Sequence, residues 1–238
     1  MVFKVYNWLN TALNGLYPPT CLLCGTAGHA GRDLCAGCHA DLPFNRDCCS
    51  RCALPLPADR PRPSLCGVCQ KKPPLYRVCH AAFRYEGQVP QLVGGLKFHG
   101  RLSCGRLLGQ YLAQALQEHQ AERPELILPV PLHRTRLQDR GYNQAVEIAR
   151  EVGHALRLPV DPARCVRKLA TPPQTGLKQR ERRRNLRGAF DLSKPIRARH
   201  VAVLDDVVTT GSTVTELARL LKRAGVGRID VWAVARTA

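Results

Sequence analysis

The rhythm of apolar and polar positions changes near residue 80. Before it, short apolar pairs are broken every few residues by Cys, Gly, Pro or a charge. One early stretch is periodic: Val2, Val5, Leu9, Leu13 and Leu16 recur every three or four residues, which predicts an amphipathic helix over 2–16. The stretch has a single basic residue, Lys4, so docking on the rest of the protein is expected rather than lying on a membrane. Beyond residue 80, strand-like and helix-like runs alternate. Ala81–Glu86 reads as a strand, Leu107–Gln117 as a helix, Leu126–Val130 as a buried strand and Asn143–Leu156 as a helix. Val201–Leu204 reads as a short apolar strand, Thr213–Ala224 as a helix closed by Gly225, and Arg228–Val234 as a final strand. Such alternation predicts an α/β fold with a doubly wound parallel sheet. No run reaches the roughly 18 apolar residues of a membrane span. Asn7, Asn10 and Asn14 interrupt the N-terminal apolar stretch, so no export signal is expected and the cytoplasm is the expected compartment.

The irregular first third makes sense once its cysteines are placed. Ten of the 12 lie between Cys21 and Cys79. Four C-x-x-C pairs follow one another: Cys21/Cys24, Cys35/Cys38, Cys49/Cys52 and Cys66/Cys69. A two-residue gap lets both sulfurs of a pair reach one metal from a tight knuckle, and two knuckles make a sulfur tetrahedron suited to Zn²⁺. Sequential pairing is the simplest, with Cys21, Cys24, Cys35 and Cys38 on one ion and Cys49, Cys52, Cys66 and Cys69 on the other. Cross-bracing, first knuckle with third, fits the spacing too, and Cys48 beside Cys49 leaves the register there open. Disulfides would need an oxidising compartment, and a redox C-x-x-C would start a helix inside a βαβ unit, a pattern this segment lacks. Four sulfurs per ion leave no open position, so the zinc is expected to be structural, and His29 and His39 are not needed as ligands.

Charge adds a second asymmetry. Lys and Arg total 36 against 18 Asp and Glu, a net +18. Residues 164–199 hold twelve Lys/Arg against Glu181 and Asp191, so +10 sits in that one segment. Such a block attracts polyanions or phosphate groups, unless it is only a solvated surface. Within it, residues 171–189 are rich in Pro, Gly and Arg, which suits a lid or a disordered segment.

The most specific stretch is Val201-Ala202-Val203-Leu204-Asp205-Asp206-Val207-Val208-Thr209-Thr210-Gly211-Ser212-Thr213. An apolar strand runs into two carboxylates, then a turn of hydroxyls and glycine, then a helix. Backbone N–H groups at a helix N-terminus, beside hydroxyls, make a phosphate site. Carboxylates at the carboxyl end of a strand lie where open α/β sheets bind ligands, and a pair of them accepts hydrogen bonds from two ribose hydroxyls. A plain N-cap would explain one hydroxyl but not two acids as well. Pro129-Val130-Pro131-Leu132-His133-Arg134 follows a buried strand and reaches the same edge. His133, Arg134, Arg136 and Arg140 there suit a pyrophosphate group, while Tyr142 reads as packing.

The thirteen-residue stretch resembles the phosphoribosyl pyrophosphate (PRPP) motif of type I phosphoribosyltransferases. Almost the whole chain resembles the ComF/GntX competence-protein family. The resemblance runs through the double zinc ribbon, the PRPP motif, the 129–134 block, Arg140-Gly141-Tyr142-Asn143-Gln144, and Gln174, Leu177, Arg182, Asn185 and Phe190. Lys97 also matches a family lysine, with no role assigned.

The chain is thus expected to divide into the amphipathic N-terminal helix within 1–19 that the periodicity predicts and, as the resemblance implies, a double zinc ribbon over 20–79 and a phosphoribosyltransferase-like domain over 80–238. It implies that Asp205 and Asp206 hold the ribose hydroxyls, while Val207, Val208, Thr209, Thr210, Gly211, Ser212 and Thr213 form the 5′-phosphate loop. Mg²⁺ would accompany PRPP, and Arg134, Arg140 and Arg182 would stand at the leaving group. A mobile loop would close over the site. The resemblance further implies a link to natural transformation, with single-stranded DNA and DNA-uptake proteins as partners, and fold analogy admits a homodimer.

Two departures narrow the chemistry. Thr209 stands where purine-salvage enzymes place an aspartate base, and a Thr cannot take that proton at neutral pH. Position 2 is Val, so the N-terminal Cys of the glutamine-using enzymes is not matched and glutamine hydrolysis is not expected. Two readings follow: a PRPP-dependent glycosyltransferase of unassigned acceptor, or a non-catalytic DNA- or protein-binding factor on a PRPP-binding scaffold. The second leaves unexplained why two carboxylates should stand beside a phosphate pocket.

Overall fold

A computed structural model of the chain describes residues 18–61, 63–169 and 186–238. The expected helix over 2–16, together with Gln174, Leu177, Arg182 and Asn185, lies outside the described residues.

The apolar runs after residue 80 pair into one parallel sheet. Its strands are β1 (Cys79–Arg84), β2 (Leu126–Pro129), β5 (His200–Val208) and β6 (Arg228–Arg236), in the order β1-β6-β5-β2. Strands β3 (Cys165–Arg167) and β4 (Phe190–Leu192) form a separate antiparallel pair. The helices between them are α3 (Val89–Phe98), α4 (Leu102–Glu118), α5 (Arg134–Arg140), α6 (Gln144–Leu156) and α7 (Ser212–Arg223), after two short ones, α1 (Ala36–Ala40) and α2 (Gly67–Lys71).

From β1 to β2 the chain crosses the sheet in one direction, and from β5 to β6 it returns in the other. Right-handed crossovers in opposite directions put their helices on opposite faces. Accordingly α4 and α6 pack together against the sheet, while α7 packs on β5, β6 and β4. The sheet is therefore doubly wound, as the alternation predicts. Helices α4 and α6 approach closely because Gly109 has no side chain; a Cβ there would lie 2.7 Å from Glu151 Cβ.

Three elements differ from expectation in a way that matters. Strand β5 does not stop at Leu204. Its parallel pairing with β6 continues to Val208↔Arg236, so both carboxylates belong to the strand itself. Backbone pairing carried it past the point where the apolar run ends. Helices α3 and α5 were not expected. Pro90 lies in the first turn of α3, and His133 caps α5, its side chain accepting from Thr135 N.

The cysteine-rich segment docks on the edge of this sheet. Phe44 bridges Phe83 of β1, Asn45 N donates to Ala82 O (3.0 Å), and Arg84 N donates to Pro43 O (2.8 Å). His39, unneeded by a metal, stacks on Tyr111 of α4, and its Nδ1 lies 2.7 Å from the Tyr111 hydroxyl. Arg106 Nη2 reaches Asp33 Oδ2 at 2.5 Å. Cys21, Leu34, Phe83 and Tyr111 belong to one continuous core. Among the described residues, no helix is long and apolar enough to cross a membrane.

Candidate functional site

Two sulfur clusters form, with sequential pairing. Cys21, Cys24, Cys35 and Cys38 bring their sulfurs within 4.8 Å of one another, and so do Cys49, Cys52, Cys66 and Cys69. Cys49 rather than Cys48 joins the second cluster, which settles the register; burial and the neighbouring Cys49 push the Cys48 thiol up to about 11. The pairs Cys24–Cys35 and Cys52–Cys66 stand 3.6 Å apart. A sulfur tetrahedron with Zn–S of about 2.3 Å has edges of about 3.8 Å, so both donor sets fit zinc. Backbone N–H groups point at the sulfurs, Cys38 N at Cys35 Sγ (3.4 Å) and Cys66 N at Cys49 Sγ (3.3 Å). Burial would raise the Cys21 and Cys49 thiols, but backbone donors outweigh it and bring them down to about 6 and about 7. All four positions being sulfur, these are structural sites.

The second site forms at the carboxyl edge of the sheet. Asp205 and Asp206 stand side by side near the end of β5, and Asp206 N donates to Asp205 Oδ1 at 2.9 Å. Asp206, with a side chain 5% exposed, meets Lys97 of α3, whose Nζ lies 2.8 Å from Asp206 Oδ2. Burial alone would lower the Lys97 pKa, but the Asp206 charge outweighs it and the ammonium is held above its ordinary value. Burial and the neighbouring Asp206 push the Asp205 carboxyl from 3.8 up to about 7, against the opposing pull of Lys97. Arg167 of β3 senses Asp205 as well, while burial and nearby Arg136 lower its pKa.

After Val208 the chain turns at Gly211, whose φ of +70° suits a residue without Cβ, and α7 begins. Thr210 and Ser212 hydroxyls are 2.8 Å apart, and Ser212 N approaches Thr210 Oγ1 at 3.4 Å. Loop residues 209–213 thus present hydroxyls at the start of a twelve-residue helix. Arg236, at the end of β6, closes the loop from beneath, with Nη1 donating to the carbonyls of Val208 (3.1 Å) and Thr209.

The remaining predicted residues fall at different distances from this centre. Arg140 ends α5, donates to Gln144 Oε1 (2.5 Å) and lies over the ring of Phe98, next to Lys97. Tyr142 does more than pack, since its hydroxyl donates to Leu96 O and so ties the loop after α5 to the turn that carries Lys97. Arg134 is exposed on the first turn of α5. His133 pairs with Arg167 through a backbone bridge, which brings the 129–136 block beside β3. Both flanks of the segment that carries Arg182 are anchored. Lys168 N donates to Ala189 O (2.8 Å), and Gly188 N donates to Glu216 Oε1 on α7 (3.1 Å). Arg167 and Arg236 had no local signal. Each is one arginine among many, and only strand pairing reveals where it points.

A family model described as a double zinc ribbon domain matches residues 12–70. The DNA utilization protein YhgH of Escherichia coli O157:H7 is 34% identical over 226 residues, covering 91% of this chain and 90% of that protein. Competence protein F of Haemophilus influenzae is 36% identical over 178 residues, 72% of this chain and 78% of that protein. Solved structures align only partly. A glutamine PRPP amidotransferase from B. subtilis matches 53% of this chain and 25% of its own, at 19% identity and a TM-score of 0.36. A purine phosphoribosyltransferase from Pyrococcus horikoshii matches 54% of this chain and 70% of its own, at 17% identity and a TM-score of 0.32.

Proposed function

Because the chain belongs to the family of DNA utilization protein YhgH and competence protein F, we propose that it binds PRPP at the end of β5 and acts on DNA during uptake, in the cytoplasm. The observation that carries the PRPP half is the acid pair Asp205–Asp206 leading directly into the Gly211 turn and the N-terminus of α7. A loop that held only a phosphate would be weakened by two carboxylates beside it. A ligand with a phosphate at one end and vicinal hydroxyls next to it uses both. We assign the division of labour accordingly: residues 20–79 to the zinc ribbons and 80–238 to the PRPP-binding domain.

In this reading the two carboxylates accept the ribose hydroxyls and the 209–213 loop holds the 5′-phosphate. Mg²⁺ bound with PRPP would supply charge neutralisation on the pyrophosphate. Lys97 holds Asp206 in place before the sugar arrives, its Nζ 2.8 Å from Asp206 Oδ2. Transfer to an acceptor would break the bond from the anomeric carbon to the pyrophosphate oxygen, which leaves with the electron pair, as the acceptor's lone pair forms the new bond. Arg134, Arg140 and Arg182 are assigned to the negative charge that develops on the leaving group. Thr209 offers no base, so an acceptor must bring its own lone pair or be deprotonated elsewhere.

The test is calorimetric titration of the zinc-loaded protein with PRPP and Mg²⁺, beside the folded double variant Asp205→Asn, Asp206→Asn. Micromolar binding that weakens at least about tenfold in the variant is expected, since two carboxylate hydrogen-bond acceptors are replaced by amides. Absence of binding by the folded wild type overturns the PRPP assignment.

A second reading, a DNA-binding factor without turnover, is favoured by the +10 carried by residues 164–199. PRPP bound without release of pyrophosphate in the presence of single-stranded DNA would select it.

A further inference from the structure

We infer that Arg236 is a positioning residue through which the second zinc site shapes the phosphate loop. The two sites sit on different parts of the chain, yet one guanidinium, 184 residues from Cys52 in sequence, touches both. Arg236 is 9% exposed. Its Nε donates to the carbonyl of Cys52 at 3.3 Å, and Cys52 is a member of the second sulfur cluster. Its Nη1 donates to Val208 O (3.1 Å), to Thr209 O, and to Thr237 O (2.7 Å).

The Val208 and Thr209 carbonyls are the last before the turn that presents the loop's hydroxyls. Val208 O is also met by Thr237 N at 3.2 Å, so β6 and its arginine both hold the strand end. Two further bonds fix the residue before Cys52 to the start of β1 and the segment leading into it. Cys79 N donates to Arg51 O (2.9 Å), and Arg51 Nη1 donates to Arg77 O (2.9 Å). A planar guanidinium donates along fixed directions, so the Cys52 carbonyl constrains the orientation in which Nη1 meets the loop. The Cys52 carbonyl is in turn placed by the knuckle, which a bound metal holds closed. Loss of the metal frees Cys52, releases the Nε anchor and lets the loop carbonyls drift. The first sulfur cluster makes no such contact among the described residues; it docks instead through Asp33 and His39 on α4.

The ligand half of this inference rests on the PRPP reading, so the test has one readout that does not. Hydrogen exchange of the peptide spanning residues 205–214 is measured in the zinc-loaded protein without ligand, with zinc content determined in parallel. Arg236→Gln is expected to keep its zinc and yet exchange about tenfold faster in that peptide. Cys66→Ser is expected to lose one zinc and show the same acceleration. Arg236→Lys, which keeps a charged donor for the loop carbonyls, is expected to recover most of the protection. PRPP titration of the same proteins should show affinity falling with loop protection.

Unchanged exchange in Cys66→Ser after its zinc is lost overturns the coupling, and so does unchanged exchange in Arg236→Gln. If Arg236→Gln does not fold, the Cys66→Ser arm and stripping of zinc from the wild type decide alone. A loop that responds in a wild type that binds no PRPP would overturn the PRPP assignment and leave the coupling standing.

Discussion

The charges at the end of β5 are few and are set against one another. Lys97 and Asp206 form a largely buried pair, 22% and 5% exposed in their side chains. Removing one member of such a pair strands the other in a low-dielectric site. Lys97→Met is therefore expected to destabilise the fold by about 3 kcal/mol, read as a lower denaturant midpoint, while Lys97→Met with Asp206→Asn should recover most of the loss. A Lys97→Met protein as stable as wild type would show that the pair contributes nothing. Asp205 behaves oppositely. Its carboxyl is raised above the unfolded value, so the folded chain holds that proton more tightly. Its contribution to stability is fully present below pH 4 and is lost as pH rises toward 7. Asp205→Asn should flatten the stability profile across that window and raise stability at pH 8, as thermal melts at several pH values would show. The cost of holding Asp205 ionised is the kind of local expense expected of a ligand site.

Among the elements, the β5–α7 turn is the one on whose geometry the proposed phosphate site depends most. Gly211 sits at φ +70°, and a Cβ there would meet only ordinary contacts, Val214 Cγ2 at 3.9 Å and Val208 Cγ1 at 4.0 Å. Gly211→Ala is thus a test of backbone conformation alone. An unfolding free energy lower by about 1–2 kcal/mol is expected, with weaker PRPP binding as the loop amides shift. An affinity unchanged by the substitution would show that the amides of this turn do not hold the phosphate. The knuckles are similarly local. Each takes its shape from four sulfurs and a few N–H···S bonds, with little apolar packing around the second cluster beyond Leu54 and Leu56. Metal removal should therefore expose residues 49–69 to proteolysis before the β sheet melts, a sequence of cleavage that limited digestion would read directly.

At the scale of the whole molecule, the net charge of +18 sets how the protein meets a polyanion. If single-stranded DNA is a partner, its affinity must fall with salt. Six phosphates neutralised would give a slope of log K against log salt of about −4, at roughly −0.7 for each. Fluorescence anisotropy with a labelled oligothymidylate measures it, and a flat dependence would remove the backbone as the contact. The ribbons and the sheet share one apolar core through Phe44, Phe83 and Tyr111. The sulfur clusters and the carboxyl edge of the sheet consequently sit on one body rather than on two tethered ones.

How much of this was legible in the chain follows from how local each feature is. The sulfur pairs, the strand–helix alternation and the acid–hydroxyl–glycine loop are contiguous patterns, and contiguous residues carry their own geometry: a knuckle, a period, a turn. The sequence by itself determined those. It also determined where the two acids lie relative to the loop, because both are adjacent along one strand. What it left open were the relations between distant segments. Sequential rather than crossed pairing of the knuckles depended on how the ribbons close. The length of β5 depended on the register of β6, and the role of Lys97 on where α3 comes to rest. The reach of Arg236 to Cys52 depended on the ribbon docking at the sheet edge. These contacts join residues dozens to almost two hundred positions apart, and no local spacing encodes them. Only burial and strand pairing in the folded chain decide which arginine of many is held still, and against what.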